Sequence, residues 1–517
     1  MPHVGPVLDG PTPLSDLLKA GLESRPNDPA LVSMEGVWSW SDLDDAANRL
    51  AAHYLALGLV PGDRVASLMP NRMALFVHYI ACYKAGLVLT PLNYRYTAPE
   101  INHALDVSDA KIILAHVERA GDVAGSKAAD LPLGVIWYGG DGSQTPSLEE
   151  LMKAEPQSGA LPAIDPEAPA AIFFTSGSTG PAKGVTHTRA SLSHIFESAA
   201  QSFELTPNDV VLPGSSCTHI GGFSFSMAAL LAGARVVVAR AFDHEEIGPL
   251  LRTTRPTMLS MLPTALLHLI REHDMTTADF SSLRLVRSAG DKVSAELEKE
   301  FMALAKKIVS EGYGMTEFGL ASLNPPKGID KLGSIGVPSP GFEFSIRNDD
   351  WNELPADEQG RLWVRTPTQS AGYWNDEKAS AEVIRDGWFD TGDEMKVDGD
   401  GYNWFCGRRK QIIVHDGSNI SPQEVEEALL EHAAVELAGV VGVIDEAHGE
   451  SVRAYVEIKA DAESPKMGEL IQFTKARVGY KAPEEIVIIE KMPLNPTGKV
   501  DRTRLKKLAA DDHAHHV

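Results

Sequence analysis

Phe173-Phe174-Thr175-Ser176-Gly177-Ser178-Thr179-Gly180-Pro181-Ala182-Lys183-Gly184 follows directly on Ala170-Ala171-Ile172. An apolar run characteristic of a buried strand thus enters a glycine-rich loop. Gly177, Gly180 and Gly184 let backbone amides approach a polyphosphate closely. Thr175, Ser176, Ser178 and Thr179 supply hydroxyl donors, and Lys183 adds a mobile positive charge, so the segment has the makings of an anion cradle. A Walker A loop places Ser or Thr after its lysine, whereas Gly184 follows Lys183 here, which disfavours an ordinary P-loop NTPase. Taken alone, the loop fits a solvated Gly/Ser turn equally well. The decision falls to the rest of the chain.

Working outward, the N-terminal side alternates helical and strand patterns. Residues 39–59 read as a helix with Ser41 as N-cap, Asp44 in its first turn and Gly58 near its end. Residues 63–70 read as a buried strand, and 74–92 as helix then strand. The alternation resumes in β-branched runs around 235–240, 257–263 and 283–290. This is α/β wiring, in which ligands gather at strand ends. From about Gly341 the texture changes to short alternating strands punctuated by Gly and Asp, the signature of a β subdomain. After Lys410 come a strand, a turn and a helix, then the apolar runs 439–446 and 453–460, a second helix and a strand near 485–493, which suits a compact α+β domain of about a hundred residues.

Composition sets the class. The 517 residues include 43% hydrophobic and 23% charged side chains, normal for a globular enzyme. Lys plus Arg number 47 against 71 Asp plus Glu, a net charge of −24 that disfavours nucleic acid or an anionic membrane as a partner. Cys82, Cys217 and Cys406 are too few and too scattered for a disulfide framework or a CxxC zinc site, so a reducing cytoplasm is the expected setting. No stretch reads as a signal peptide or a transmembrane helix. The oligomeric state is open, a homodimer being compatible with the sequence.

The loop TSGSTGPAKG resembles the signature of the adenylate-forming (AMP-binding) superfamily, which includes acyl-CoA synthetases, luciferases and the adenylation domains of peptide synthetases. Gly312-Tyr313-Gly314-Met315-Thr316-Glu317, Trp388-Phe389-Asp390-Thr391-Gly392-Asp393, Gly407-Arg408-Arg409-Lys410 and Pro496-Thr497-Gly498-Lys499 match further superfamily segments in order, from about Trp38 to Lys507. The resemblance implies a large N-terminal adenylation domain of stacked α/β subdomains plus a small β subdomain, residues 1–409, and a small mobile α+β domain, 410–517. It implies a carboxylic acid–CoA ligase working through an acyl-AMP, with ATP, Mg2+ and coenzyme A, on an apolar fatty acyl or aryl acid. A ligase that loads a carrier protein and a noncatalytic nucleotide-binding regulator are the alternatives.

Roles follow from the resemblance, each beside a plain structural reading. Thr175, Ser176, Gly177, Ser178, Thr179, Gly180 and Lys183 would hold phosphates. Gly290 and Gly312 to Thr316 would border adenine, with the Tyr313 ring as a stacking surface, and Glu317 would hold the metal. Asp393 has two acceptor oxygens for the ribose hydroxyls, and Arg408 a fork of donors for ribose or phosphate. Lys499 would stabilise charge developing on the α-phosphate and pyrophosphate, so that Thr175, Lys183, Glu317 and Lys499 form the catalytic set. Lys410 would be the hinge and Gly417 would line the thiol tunnel. His219, Gly222, Phe223, Gly290, Gly312 and Gly319 would wall the acid pocket, Phe223 with Phe225 favouring an apolar or aromatic acid. Without the resemblance, Tyr313 would be a core tyrosine, Asp393 a turn former, Arg408 and Lys499 solvated cations, and His219 a buried histidine bonded to backbone. The chain departs from the superfamily pattern at Gln411, where an acidic residue is usual, at Asp416-Gly417, where Gly-Gly is frequent, and at Ser288-Ala289-Gly290-Asp291-Lys292.

Overall fold

The computed structural model describes residues 3–514 except 9, 141–145, 156–160, 176–181, 241–243, 290–292, 416–417, 446–448, 461 and 496–497. Ser176, Gly177, Ser178, Thr179, Gly180, Gly290 and Gly417 therefore lie outside the described residues. Among the described residues the strands form four sheets, two of them largely parallel and buried on both faces. The seven-stranded sheet runs in the order 372–373, 183–188, 169–175, 88–91, 64–68, 112–116 and 135–138. The nine-stranded sheet runs 337–338, 319–323, 310–315, 285–289, 258–261, 210–213, 235–238, 29–33 and 36–39.

Burial on both faces explains why these strands are continuous apolar runs rather than alternating ones. Val65, Leu89 and Phe173 of one sheet and Leu31, Val236 and Met258 of the other enter a single core with the helices Trp40–Ala56, Met73–Ala85, Arg189–Ser202 and Ile220–Leu231 between them. The outer face of the nine-stranded sheet is covered by Ile247, Leu266 and Phe301 from three further helices, and that of the seven-stranded sheet by Ile101 and Leu105. Met73–Ala85 lies between layers and is buried nearly all round, which is why it shows no polar stripe.

The helix expected over 39–59 spans Trp40–Ala56, and its cap is Ser39 rather than Ser41. Ser39 Oγ accepts from the Asp42 amide at 3.1 Å while the Asp42 carboxylate accepts from the Ser39 amide at 2.9 Å. The same Ser-x-x-Asp spacing occurs at both positions; burial of Trp40, 1% exposed, selects the earlier one by drawing that residue into the first turn.

The expected β subdomain is a six-stranded antiparallel sheet built on 343–347, 360–365, 388–397 and 403–408 with its own core of Phe342, Phe344, Leu362 and Phe389. Beyond it a five-stranded sheet over 413–489 packs on the helices Pro422–Leu430 and Met467–Val478. This C-terminal unit docks on the large body through Arg271–Glu436 at 3.4 Å and Lys459–Glu296 at 2.8 Å. No helix among the described residues is long and apolar enough to cross a membrane.

Gly336 shows how tightly the nine- and six-stranded sheets meet. Its φ is +80°, its carbonyl accepts from the Asn403 amide at 2.8 Å, and a Cβ there would lie 2.0 Å from the Leu323 carbonyl carbon. Gly58 also has a positive φ, +94°, but faces open space. Urea unfolding should therefore show Gly336→Ala losing about 3 kcal/mol or more, against about 1 kcal/mol for Gly58→Ala. Equal losses would mean that backbone conformation, not the close approach, sets the requirement for glycine.

Candidate active site

Thr175 and Lys183 end the antiparallel hairpin strands Pro169–Thr175 and Lys183–Thr188 and face one another in register. Gly372–Tyr373 pairs with the outer side of Lys183–Thr188. That pairing sets the Tyr373 ring under Lys183, whose Nζ stands 4.8 Å from the ring centroid, a cation–π distance. The Tyr373 hydroxyl in turn donates to Glu317 Oε1 at 3.0 Å. A cation, a phenol and a carboxylate are thus linked from the loop to the Thr316-Glu317 turn.

That turn is held from two further directions. His187 Nε2 lies 2.8 Å from the Thr316 carbonyl oxygen, and the Ser370 amide donates to the Glu317 carbonyl at 2.7 Å. Burial pushes the His187 pKa down to about 4, so its ring is neutral and its Nε2 serves as the donor at neutral pH. Glu317 is 6% exposed, and desolvation raises its carboxyl pKa above the ordinary value.

A second cluster adjoins the first. Tyr313, on the strand Ser310–Met315, donates its hydroxyl to Asp393 Oδ2 at 2.6 Å, and Arg408 Nε donates to Asp393 Oδ1 at 2.9 Å. Asp393 and Arg408 are register partners on neighbouring antiparallel strands. Asp393 is 1% exposed, whereas Arg408 is 45% exposed. Two carboxylate oxygens offer about four acceptor sites, of which Tyr313 and Arg408 each take one. Arg408 and Asp393 both act electrostatically on Glu317, which places the two clusters side by side.

His219 caps the helix Ile220–Leu231, with Asn93 Nδ2 3.3 Å from its Nε2. Burial lowers its pKa to about 4, and the Lys499 ammonium pushes in the same direction. Lys499, on an exposed loop of the C-terminal unit, is therefore within electrostatic reach of His219. Lys410 lies in the short turn Arg409–Gln411 that leads from the six-stranded sheet to the C-terminal unit.

Several residues expected to wall the acid pocket are placed otherwise. Phe223 is fully buried, its ring edge-on to Tyr79 and Phe173 at 5.3 and 5.0 Å, and Phe225 is likewise a core residue against Phe203. A Cβ on Gly222 would meet the Ser216 carbonyl oxygen at 2.5 Å. One on Gly319, whose φ is +75°, would meet Ile195 at 2.9 Å. Both glycines serve close packing rather than cavity volume, as does Gly314, whose Cβ would lie 2.3 Å from the Gly319 carbonyl oxygen. At Gly312 the missing Cβ faces Arg287 Nε at 3.3 Å. Sequence reasoning missed Tyr373 and His187: neither sits in a motif, and only strand pairing brings each to the site.

These residues are an arrangement able to hold a nucleotide's ribose and phosphates beside an acid. Magnesium takes one or two protein carboxylates and completes its shell from phosphate and water, so the single hard carboxylate of Glu317 next to the hairpin fits such an ion. The model for "AMP-binding enzyme" matches residues 18–374 and that for "AMP-binding enzyme C-terminal domain" matches 424–499. A feruloyl-CoA synthase from Amycolatopsis sp is 32% identical over 476 residues, 91% of this chain and 93% of that protein. The fatty acid–[acyl-carrier-protein] ligase ScoC of Streptomyces coeruleorubidus is 31% identical over 505 residues, 96% of each. Among solved structures, ATP-bound MatB from Rhodopseudomonas palustris superposes with a TM-score of 0.87 at 27% identity, covering 96% of this chain and 98% of that one.

A carboxyl whose pKa is raised on folding contributes full stability below its unfolded value, where both states are protonated. That contribution is lost as pH rises through the folded value, because the unfolded state ionises first. Glu317→Gln keeps an acceptor for Tyr373 and removes the ionisable group. The nucleotide-free variant should melt above the wild type at neutral pH, and the gap should close below the ordinary carboxyl value of 4.5. A gap that does not change with pH would assign the effect to something other than the buried charge.

Proposed function

The chain belongs to the AMP-binding enzyme family, and from that premise we propose that the two clusters hold ATP while the acid enters beside His219. The protein is an AMP-forming acid–thiol ligase: a carboxylic acid, ATP and coenzyme A become acyl-CoA, AMP and pyrophosphate by way of an acyl-AMP. A carboxylate oxygen of the acid bonds to the α-phosphorus as the bond to pyrophosphate breaks. The thiol sulfur then bonds to the acyl carbon, AMP leaves, and the thiol proton passes to solvent. The relatives' names, feruloyl-CoA synthase and fatty acid ligase, favour an acid with an apolar aryl or fatty acyl body.

The observation that carries this reading is the position of Glu317 between its hydrogen bond to Tyr373, which lies under Lys183, and the charges of Asp393 and Arg408. Thr175 and Lys183 border the hairpin for the β- and γ-phosphates. Asp393 and Arg408 receive the ribose, and Tyr313 flanks adenine while its hydroxyl remains on Asp393. Glu317 would hold Mg2+, which when bound neutralises charge on the phosphate oxygens.

Lys499 acts on His219 from the C-terminal unit. Its ammonium would stabilise the negative charge that grows on the transferring phosphate. Neutral His219 excludes a competing positive charge next to the incoming carboxylate. Movement of 410–517 about Lys410 would then withdraw Lys499 and bring the segment around Gly417 to the thiol. The free thiols of Cys82, Cys217 and Cys406 accord with a reducing, cytoplasmic setting.

Two assays test this reading. Acid-dependent ATP–pyrophosphate exchange should be present in the wild type, and its absence with aryl and fatty acids alike would remove the adenylating reading. Lys499→Ala should lower acyl-AMP formation from ATP by about 10²-fold or more, while thioester formation from supplied acyl-AMP and coenzyme A stays near the wild-type rate. Equal losses in both half-reactions would reject the assigned role.

A further inference from the structure

Two opposite charges of the site touch one and the same aromatic residue. The Tyr373 ring carries Lys183 Nζ at 4.8 Å from its centroid, and the Tyr373 hydroxyl donates to Glu317 Oε1 at 3.0 Å. A phenol keeps its proton at neutral pH, so the hydroxyl is the donor in that bond. Among the described residues no carboxylate pairs with Lys183 and no cation pairs with Glu317.

The backbone leaves Tyr373 little choice of position. Gly372 and Tyr373 are register partners of Thr186 and Val185. On either side, the Ala371 amide donates to the Thr186 carbonyl at 2.8 Å and the Trp374 amide to the Gly184 carbonyl at 2.7 Å. The Tyr373 amide donates to Ser380 Oγ at 2.8 Å. Gly372 has a φ of +115°, and a Cβ there would lie 2.6 Å from Ser380 Oγ, so the bend that delivers Tyr373 requires glycine. His187, on the strand that begins with Lys183, lies 2.8 Å from the Thr316 carbonyl oxygen. One strand thus carries the lysine and, through Tyr373 and His187, two supports of the Thr316-Glu317 turn.

Placement alone does not explain why the residue is an aromatic with a hydroxyl. An ammonium and a carboxylate in a site with little water attract one another strongly, and the lysine stem is flexible. Left to themselves they would pair, and that pair would have to break before the ammonium took a phosphate and the carboxylate a metal. A ring face offers the ammonium a weaker contact that is readily given up. The phenol occupies one of the roughly four acceptor sites of the carboxylate and leaves its charge in place.

We propose that Tyr373 is a positioning residue that keeps Lys183 and Glu317 apart, ring to the ammonium and hydroxyl to the carboxylate, so that both stay available to the nucleotide and its metal. This rests on the adenylating reading above and adds to it a residue that acts through two others.

The test measures ATP binding to the purified full chain by calorimetry, in EDTA and across a Mg2+ titration, beside kcat and KM for pyrophosphate release. Tyr373→Phe keeps the ring and loses the hydrogen bond. Its metal-free ATP affinity should stay within about twofold of the wild type, while the Mg2+ concentration for half-maximal tightening rises about tenfold. Tyr373→Leu loses both contacts, and its metal-free affinity should fall about tenfold as the lysine swings to the carboxylate. In a Glu317→Gln background, where no carboxylate remains to capture the lysine, Tyr373→Leu should leave metal-free affinity at the level of Glu317→Gln alone. Tyr373→Phe decides by itself should the leucine variant fold poorly. Wild-type Mg2+ dependence in Tyr373→Phe, or a loss in Tyr373→Leu that persists beside Glu317→Gln, overturns the inference and leaves adenylation standing. Absence of ATP binding by the wild type overturns both.

Discussion

A carboxylate taken out of water must be answered by donors, and in this protein Asp393 is the carboxylate that fixes the rest. Its two oxygens are held by Tyr313 from the nine-stranded sheet and Arg408 from the six-stranded one. Hydrogen bonds to a charged group contribute about 1.5–3 kcal/mol each, and a buried charge robbed of one partner costs more than the bond itself. The two sheets are therefore locked in one relative position, and the Thr316-Glu317 turn, which follows Tyr313 directly, is carried with them. His187 ties the same turn to the seven-stranded sheet. Three sheets meet at this cluster, and Tyr313, Arg408 and His187 supply polar contacts between them.

Burial acts on His187, His219 and Glu317, and its sign decides the resulting chemistry. It lowers the pKa of His187 and His219, so both rings stay neutral donors or acceptors rather than cations beside the phosphates. It raises Glu317, whose ionised form is disfavoured where it lies. Lys183 remains exposed over the Tyr373 ring.

Glycines carry two different messages that are identical in sequence. Gly222 and Gly319 are glycine because backbone or core atoms occupy the place of a Cβ. Gly312 is glycine where a side chain from the adjacent strand needs the space. Only strand order and register separate these cases, since the neighbours concerned are far away along the chain. Phe223 and Phe225 show the same limit: an aromatic after His219 fits a pocket wall or an interlayer core, and the packing of two sheets onto the same helix chose the core.

The sequence by itself determined the α/β alternation, the change to short β strands after Gly341 and the compact unit after Lys410. Periodicity and turn residues are local properties of the chain, and the C-terminal helices and strands follow them closely. It also determined the chemistry on offer at Thr175, Lys183, Tyr313, Glu317, Asp393, Arg408 and Lys499, because donor sets and the order of motifs can be read from residue types. Tertiary structure alone decided that Tyr373 would bridge Lys183 to Glu317, that His187 would anchor the turn, and that Ser39 rather than Ser41 would begin the first long helix. The reason is the same in each case: these outcomes depend on which strands pair and what becomes buried, and burial is a property of the assembled layers rather than of any segment within them.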